Sequence, residues 1–389
     1  MWNATQKLVA PLALASTALA LCLVVLEVVL RVAGFNPMSA VAEGRSLILQ
    51  PSANPLRRFE LTPNSSGFAW RTEVQINSRG MRDREVPVER TGAARIVVIG
   101  DSIAFGSGVA ARDRFSDQLE SLLERRLAGA VEVLNLGVGG YDTLQEVATL
   151  EDVGLRFAPD LVLVAYCVND LGDNSPNLEY IQRLRQANSR LYQARVVQLV
   201  STTIDKLRLI WLLRESNRDH FFAERYRGFI APVSGDRELM ALRNELGRRM
   251  EVSEDRDFVL GWYRSEVHLG RLAYALDRLA GVAEGHGFEA IVAIILFLAE
   301  SQSYDVVYRM VEHLAVERGL EAVVLAPLLS AAGLESLRSR ARDPLHPNER
   351  GHRLVAEALE PVVSAKLAAI QRRESDAGNA RPSEASVLR

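Results

Sequence analysis

Three short apolar runs constrain this chain most. Ile96-Val97-Val98-Ile99, Val131-Glu132-Val133-Leu134-Asn135-Leu136 and Leu161-Val162-Leu163-Val164-Ala165-Tyr166 are each strand-length and uncharged except for Glu132 in the second. Between them lie helical patterns: Phe115, Leu119, Leu122, Leu123 and Leu127 share one face, and Leu144–Phe157 forms a second segment. Continuous apolar strands alternating with helices predict a parallel sheet covered on both faces. The rhythm resumes with a helix over Phe258–Gly285, strands at Ala290–Leu298 and Ala322–Leu325, and a helix over Asn348–Leu367. Residues 172–257 interrupt it, rich in Arg, Asn and Asp with helical stretches such as Val196–Leu213, and read as an insertion. The α/β unit thus spans 95–372, and 373–389 reads as a disordered tail without periodicity.

Leu8 to Leu26 is 19 residues without a charge, about 28 Å of helix, and the apolar pattern continues past Glu27 to Ala33. Residues 8–33 therefore read as a single transmembrane anchor, with one membrane span and the rest of the chain on one side. A cleaved signal would use Ala18-Leu19-Ala20, but the run continues beyond it; a lipoprotein needs a small residue before Cys22, where Leu21 stands. Lys7 on one flank and Arg31 and Arg45 on the other leave orientation undecided by charge. Residues 35–94 read as a juxtamembrane segment holding a β-hairpin, with Glu73–Asn77 as a strand and Ser78-Arg79-Gly80 as the turn after it. A net charge of −3 gives no broad basic footprint, so nucleic acid is not an expected partner. The two cysteines, Cys22 and Cys167, form no metal-binding pair.

In open α/β sheets, sites form at the carboxyl ends of the strands. The first strand ends at Gly100-Asp101-Ser102, the second at Asn135-Leu136-Gly137-Val138-Gly139-Gly140, the third at Asn169-Asp170; Asp343-Pro344-Leu345-His346 precedes the last helix. Acyl transfer needs a nucleophile, a base, a group orienting the base, and donors for the oxyanion. Ser102 supplies a hydroxyl on a strand-to-helix turn and an amide at a helix N-terminus. Gly140 offers an unobstructed N–H, Asn169 a side-chain N–H, His346 a base, and Asp343 its orienter. Each block also has a structural reading. Gly100-Asp101-Ser102 reads as a helix cap, Gly139-Gly140 and Asn169-Asp170 as turns, and Asp343 as a turn cap. Asp101 is expected in a turn hydrogen bond, Asn348 as a cap, and His352 in packing; His220, His268, His286 and His313 have no metal-ligand spacing. A P-loop fails because no Lys follows Gly106-Ser107-Gly108, no G-x-G-x-x-G forms around Gly100, and Ala104 occupies the second Gly of a G-x-S-x-G elbow.

Four such blocks in this order resemble the SGNH or GDSL hydrolase family, over about 95–175 and 285–365. One position departs: Cys167 stands where the family usually has a glycine two residues before the Asn. The resemblance implies a flavodoxin-like α/β sheet, Ser102 as nucleophile, His346 as base, Asp343 as its orienter, and Ser102, Gly140 and Asn169 as oxyanion donors. It implies a membrane-tethered serine ester hydrolase acting through an acyl-enzyme on a carbohydrate or lipid ester, with an extracytoplasmic catalytic domain and no metal or organic cofactor. The alternatives are an O-acetyltransferase of cell-envelope glycans, as membrane-tethered relatives act on such glycans, and a non-catalytic envelope scaffold.

Overall fold

The computed structural model describes residues 4–34, 48–69, 72–90, 92–127, 129–172, 194–212, 215–253, 258–295, 297–299 and 303–379. The chain begins with helix α1 (Ala4–Val32). Its stretch Pro11–Val32, with a mean hydropathy of 2.5, is long and apolar enough to cross a membrane, and none of it is buried inside the protein. Two small antiparallel pairs follow: β1 (Leu49–Pro51) with β2 (Phe59–Leu61), and β3 (Ser66–Ala69) with β4 (Thr72–Gln75). The expected hairpin is therefore displaced, because the Glu73 strand pairs with the residues before it. The turn at Asn77–Gly80 does form, with Gly80 at φ +76°. However, the Asn77 side chain accepts from the amides of Arg79 (2.9 Å) and Met81 (3.0 Å), which curls the chain away from a returning strand.

This segment is part of the wall around the strand ends. Leu49, Phe59, Leu61, Val74 and Ile76 form one buried cluster with Phe105, Val138 and Tyr141, which follow the first two sheet strands.

The main sheet is β5 (Ala94–Gly100), β6 (Val131–Asn135), β7 (Leu161–Tyr166), β8 (Glu289–Ile294) and β9 (Glu321–Val324). All pairings are parallel, in the order β6-β5-β7-β8-β9, the flavodoxin-like arrangement. Its switch point lies at β5, where the chain first steps to β6 and then back across to β7. After β5 come the short helix α2 (Ser102–Phe105) and α3 (Phe115–Arg126); α4 (Thr143–Asp152) follows β6. The insertion contributes α5 (Arg195–Leu212), α6 (Glu215–Arg225) and α7 (Arg237–Ser253); residues 173–193 lie outside the described residues. The helix expected over 258–285 is broken into α8 (Phe258–Trp262) and α9 (Glu266–His286). The break is a run of tight turns over Tyr263–Ser265, after which the Ser265 hydroxyl caps α9.

After β8 come α10 (Tyr304–Val316), β9, α11 (Ala326–Ala331) and α12 (Glu349–Asn379). Right-handed crossovers put α3 on one face and α4, α9 and α10 on the other; α12 packs on α3, and α9 on both α4 and α10. Contrary to expectation, residues 373–379 are helical and continue α12, while 380–389 lie outside the described residues. Ala368, Ala369, Gln371, Arg372, Arg373 and Glu374 are good helix formers that carry α12 past its core face, and Arg373 bonds Glu289 at 2.6 Å.

Candidate active site

The turn after β5 is held from three directions. Asp101 caps α2 by accepting from the Ile103 amide at 2.8 Å. Gly100 is required there, because a Cβ would lie 2.7 Å from Ala104 Cβ and 3.0 Å from Ala165 Cβ. The far end of α2 is tied by Arg82, whose guanidinium donates to the carbonyls of Phe105 (2.9 Å), Gly106 (2.7 Å) and Val109 (2.9 Å). Burial, and then the neighbouring Arg114 charge, pull Arg82 down to about 10, still far above neutral pH. Ser102 is thereby fixed as the first residue of a helix, where its amide has no intrahelical acceptor.

The loop after β6 lies against this turn. Asn135 Nδ2 donates to Ala104 O and to Ser116 Oγ, both at 2.7 Å, and its Oδ1 accepts from the Gly137 amide at 2.9 Å. A Cβ on Gly137 would sit 2.5 Å from Phe105 N, so only glycine permits this approach. Val138 N donates to Gly100 O at 3.0 Å, and Gly140 follows at φ +90°. Among the described residues, neither the Ser102 nor the Gly140 amide has a protein acceptor.

The loop after β7 brings Asn169 to the same place. Its Nδ2 donates to Asp101 Oδ2 at 2.9 Å, which fixes the amide and leaves the second Nδ2 hydrogen available. Cys167 occupies ordinary extended backbone (φ −115°, ψ 154°) and is wholly buried. A glycine is not needed at that position.

The last loop closes the site. Leu298 N donates to Pro344 O at 2.7 Å, tying the loop to the chain beyond β8. Asn348 donates to the carbonyls of Ser336 (2.9 Å) and Arg338 (3.2 Å) and accepts from the Gly351 amide (3.0 Å), capping α12. His352, buried in α12, accepts from the Phe115 amide at 3.3 Å and helps seat α12 on α3. Burial first, then the Arg114 charge, bring its pKa to about 3, so it is neutral.

His346 Nδ1 lies 2.9 Å from Asp343 Oδ2 and 3.0 Å from Oδ1, and Nε2 lies 2.9 Å from Ser102 Oγ. In the tautomer whose Nδ1–H faces the carboxylate, Nε2 is an acceptor within hydrogen-bond reach of the Ser102 hydroxyl. Burial alone would raise Asp343. The bond and charge of the His346 ring and the amides of His346 and Leu345 outweigh it and bring the group to about 2. Ser102 is 9% exposed, and the His346 side chain beside it is half-buried at 18%, so both are reached from the same open side.

Residues 98–276 match the model of the GDSL-like lipase/acylhydrolase family. Residues 98–276 thus form a domain similar to that family of ester hydrolases. The match ends before Asp343, so that half of the arrangement stands on its geometry. No curated protein matches the chain. Among solved structures, an alpha/beta hydrolase enzyme from the metagenome of Lake Arreo, Spain, is 16% identical, with 71% of this chain and 97% of that one covered and a TM-score of 0.40. A catalytic mutant of an acetylxylan esterase from Geobacillus stearothermophilus is 15% identical, with 70% and 94% covered and a TM-score of 0.39. TesA is 14% identical, with 70% and 99% covered and a TM-score of 0.40.

Behind the serine, the GDSL-like domain holds a layer of buried acids. Asp101 Oδ2 accepts from both Asn169 Nδ2 (2.9 Å) and Ser102 Oγ (3.0 Å), so the serine proton has two acceptors within reach. Asp142 caps α4 and pairs with Arg271 at 2.6 Å, both side chains buried. Asp170 accepts from Cys167 N at 2.6 Å. Glu146 has no hydrogen-bond partner for either oxygen among the described residues. Burial first, then the Asp101 and Asp142 carboxylates, push Glu146 well above the usual range. Asp170 is raised in the same way, by burial and then by Asp101 and Glu146. Both are thus shifted toward the neutral acid form. The sequence points to Asp101 as a turn residue and to Asp170 only as part of the Asn169-Asp170 turn, and no motif marks Arg82 or Glu146. Only Asp101 and Asp170 carried a signal, as neighbours of Ser102 and Asn169 in their blocks.

Proposed function

We propose that the domain hydrolyses a carbohydrate or lipid ester through an acyl-Ser102 intermediate, with α1 tethering it to a membrane. The carrying observation is the continuous line Asp343–His346–Ser102, with bonds of 2.9 Å on either side of the imidazole. Ser102 Oγ attacks the ester carbonyl while His346 Nε2 takes its proton. Negative charge then develops on the carbonyl oxygen, where the amides of Ser102 and Gly140 and the free Nδ2 hydrogen of Asn169 stabilise it. His346 returns the proton to the departing alcohol. Water, deprotonated by the same nitrogen, releases the acid and regenerates Ser102. Asp343 stays ionised throughout and stabilises the imidazolium.

The test is p-nitrophenyl acetate turnover by the full chain in detergent, beside Ser102→Ala, with mass spectrometry after a fluorophosphonate probe. Turnover and a label on Ser102, both absent in the variant, are the expected result. A label without turnover would redirect the acyl group to an acceptor other than water. Folded protein with neither would remove the catalytic reading.

A further inference from the structure

Glu27 is the only acid in the apolar helix α1. Its carboxylate reaches in two directions: one oxygen accepts from Arg31 Nε at 2.6 Å and the other from the backbone amide of Val196 at 2.9 Å. Val196 is in the first turn of α5, so Glu27 caps a helix of the insertion, where a carboxylate satisfies orphan amides and the helix dipole. This explains an acid at that depth, and it fixes where α5 begins. Glu27 lies five residues before Val32, about 7.5 Å by helical rise. Interfacial amphipathic helices sit about 5–10 Å into the boundary between headgroups and acyl chains.

α5 packs beside α1. It exposes Val200, Ile204 and Leu207 at 51%, 58% and 61%, and their spacing of four and three residues puts them on one helix face. The adjoining end of α1 exposes Val24, Val25, Val28 and Val29 at 54–60%. A water-soluble face would not normally show three large aliphatic residues in register next to such a surface. In sequence, α5 carries Arg195, Lys206 and Arg208 against Asp205, a balance suited to anionic headgroups.

We propose that α5 lies in the interfacial layer of the bilayer, with Val200, Ile204 and Leu207 turned toward the acyl chains. The insertion then gives the enzyme a second membrane contact, independent of the span itself. The inference rests on the reading of α1 as a membrane span.

The experiment uses the full chain in vesicles of phosphatidylcholine and phosphatidylglycerol. Cys22→Ser removes the exposed thiol, and Cys167 is buried. Bimane is attached in turn to Ile204→Cys, Leu207→Cys, Val25→Cys in α1 and Val316→Cys, an exposed position on α10. Emission is compared with and without nitroxide-labelled lipid. At least twofold quenching at 204 and 207, as at 25 and unlike 316, is expected. Quenching at 25 with 204 and 207 at the level of 316 overturns this inference and leaves the tether standing. No quenching at 25 overturns both. A blue shift at 204 without lipid quenching puts a second copy on this face and overturns the inference.

Discussion

Asp343 reaches Ser102 through His346 and Glu146 faces it through Asp101, and their surroundings drive two similar carboxyl groups apart. Asp343 sits in a half-buried loop, yet the His346 ring and two backbone amides surround it and bring it to about 2. Glu146 sits in a helix buried on every side, faces two other carboxylates, and is pushed well above the usual range. Burial acts on both in the same direction; the count of donors decides the outcome. One side of the serine is therefore a charged, solvent-reachable relay. The other is a layer in which buried acids, pushed toward their neutral forms, back Asp101, and Asp101 in turn holds the Asn169 amide.

The relay should fail catastrophically and the buried layer mildly. Ser102→Ala should lower kcat by about a millionfold, read with p-nitrophenyl acetate; a loss under a hundredfold would break the assignment. Asp343→Asn keeps the loop shape but presents an amide to His346, and should cost about ten-thousandfold in kcat. Its stability effect carries a sign. The lowered group stabilises the fold above its unfolded value and loses that contribution as pH falls toward 2, so the variant should melt below wild type at pH 7 and approach it in strong acid. Asn169→Ala removes one oxyanion donor and should cost about a hundred- to a thousandfold in kcat with KM nearly unchanged; a loss confined to KM would move Asn169 out of the oxyanion site.

Glu146→Gln touches no reacting atom and should give the smallest change. A raised acid penalises folding as pH climbs above its unfolded value and through its folded one. The variant should therefore match wild type near pH 4 and melt higher than it at pH 8. Melting curves across that range with no widening gap would show that Glu146 is charged in the fold.

Much of this was legible in the sequence because it is written locally. The apolar runs at 96–99, 131–136 and 161–166 read as buried strands because helical patterns alternate with them, and each ended in the block that the sheet then gathered at its switch point. Asp343 and His346, three apart, already implied a shared turn. What was not legible depended on distant neighbours. The partner of Glu73 was upstream because the Asn77 side chain curls the chain locally, a competition no alternation pattern reports. The extension of α12 past Leu367 follows from propensity without periodicity. Asp101 bridges Ser102 and Asn169 only because β5 and β7 are adjacent, and Glu146 belongs to a segment that reads as an ordinary amphipathic helix until the sheet and α9 enclose it.

The separation of 244 positions between Ser102 and His346 has a consequence for how the enzyme comes into being. A ribosome that has finished β8 has already made Ser102, its turn and the three proposed oxyanion donors. It has not made the proposed base. On that proposal the growing chain can fold most of its sheet with an unactivated hydroxyl, and His346 reaches Ser102 only when the closing loop arrives and α12 docks on α3. Placing the imidazole after the sheet strands leaves the proposed nucleophile without its base until the closing loop is made, and any fragment that stops before that loop lacks the proposed relay.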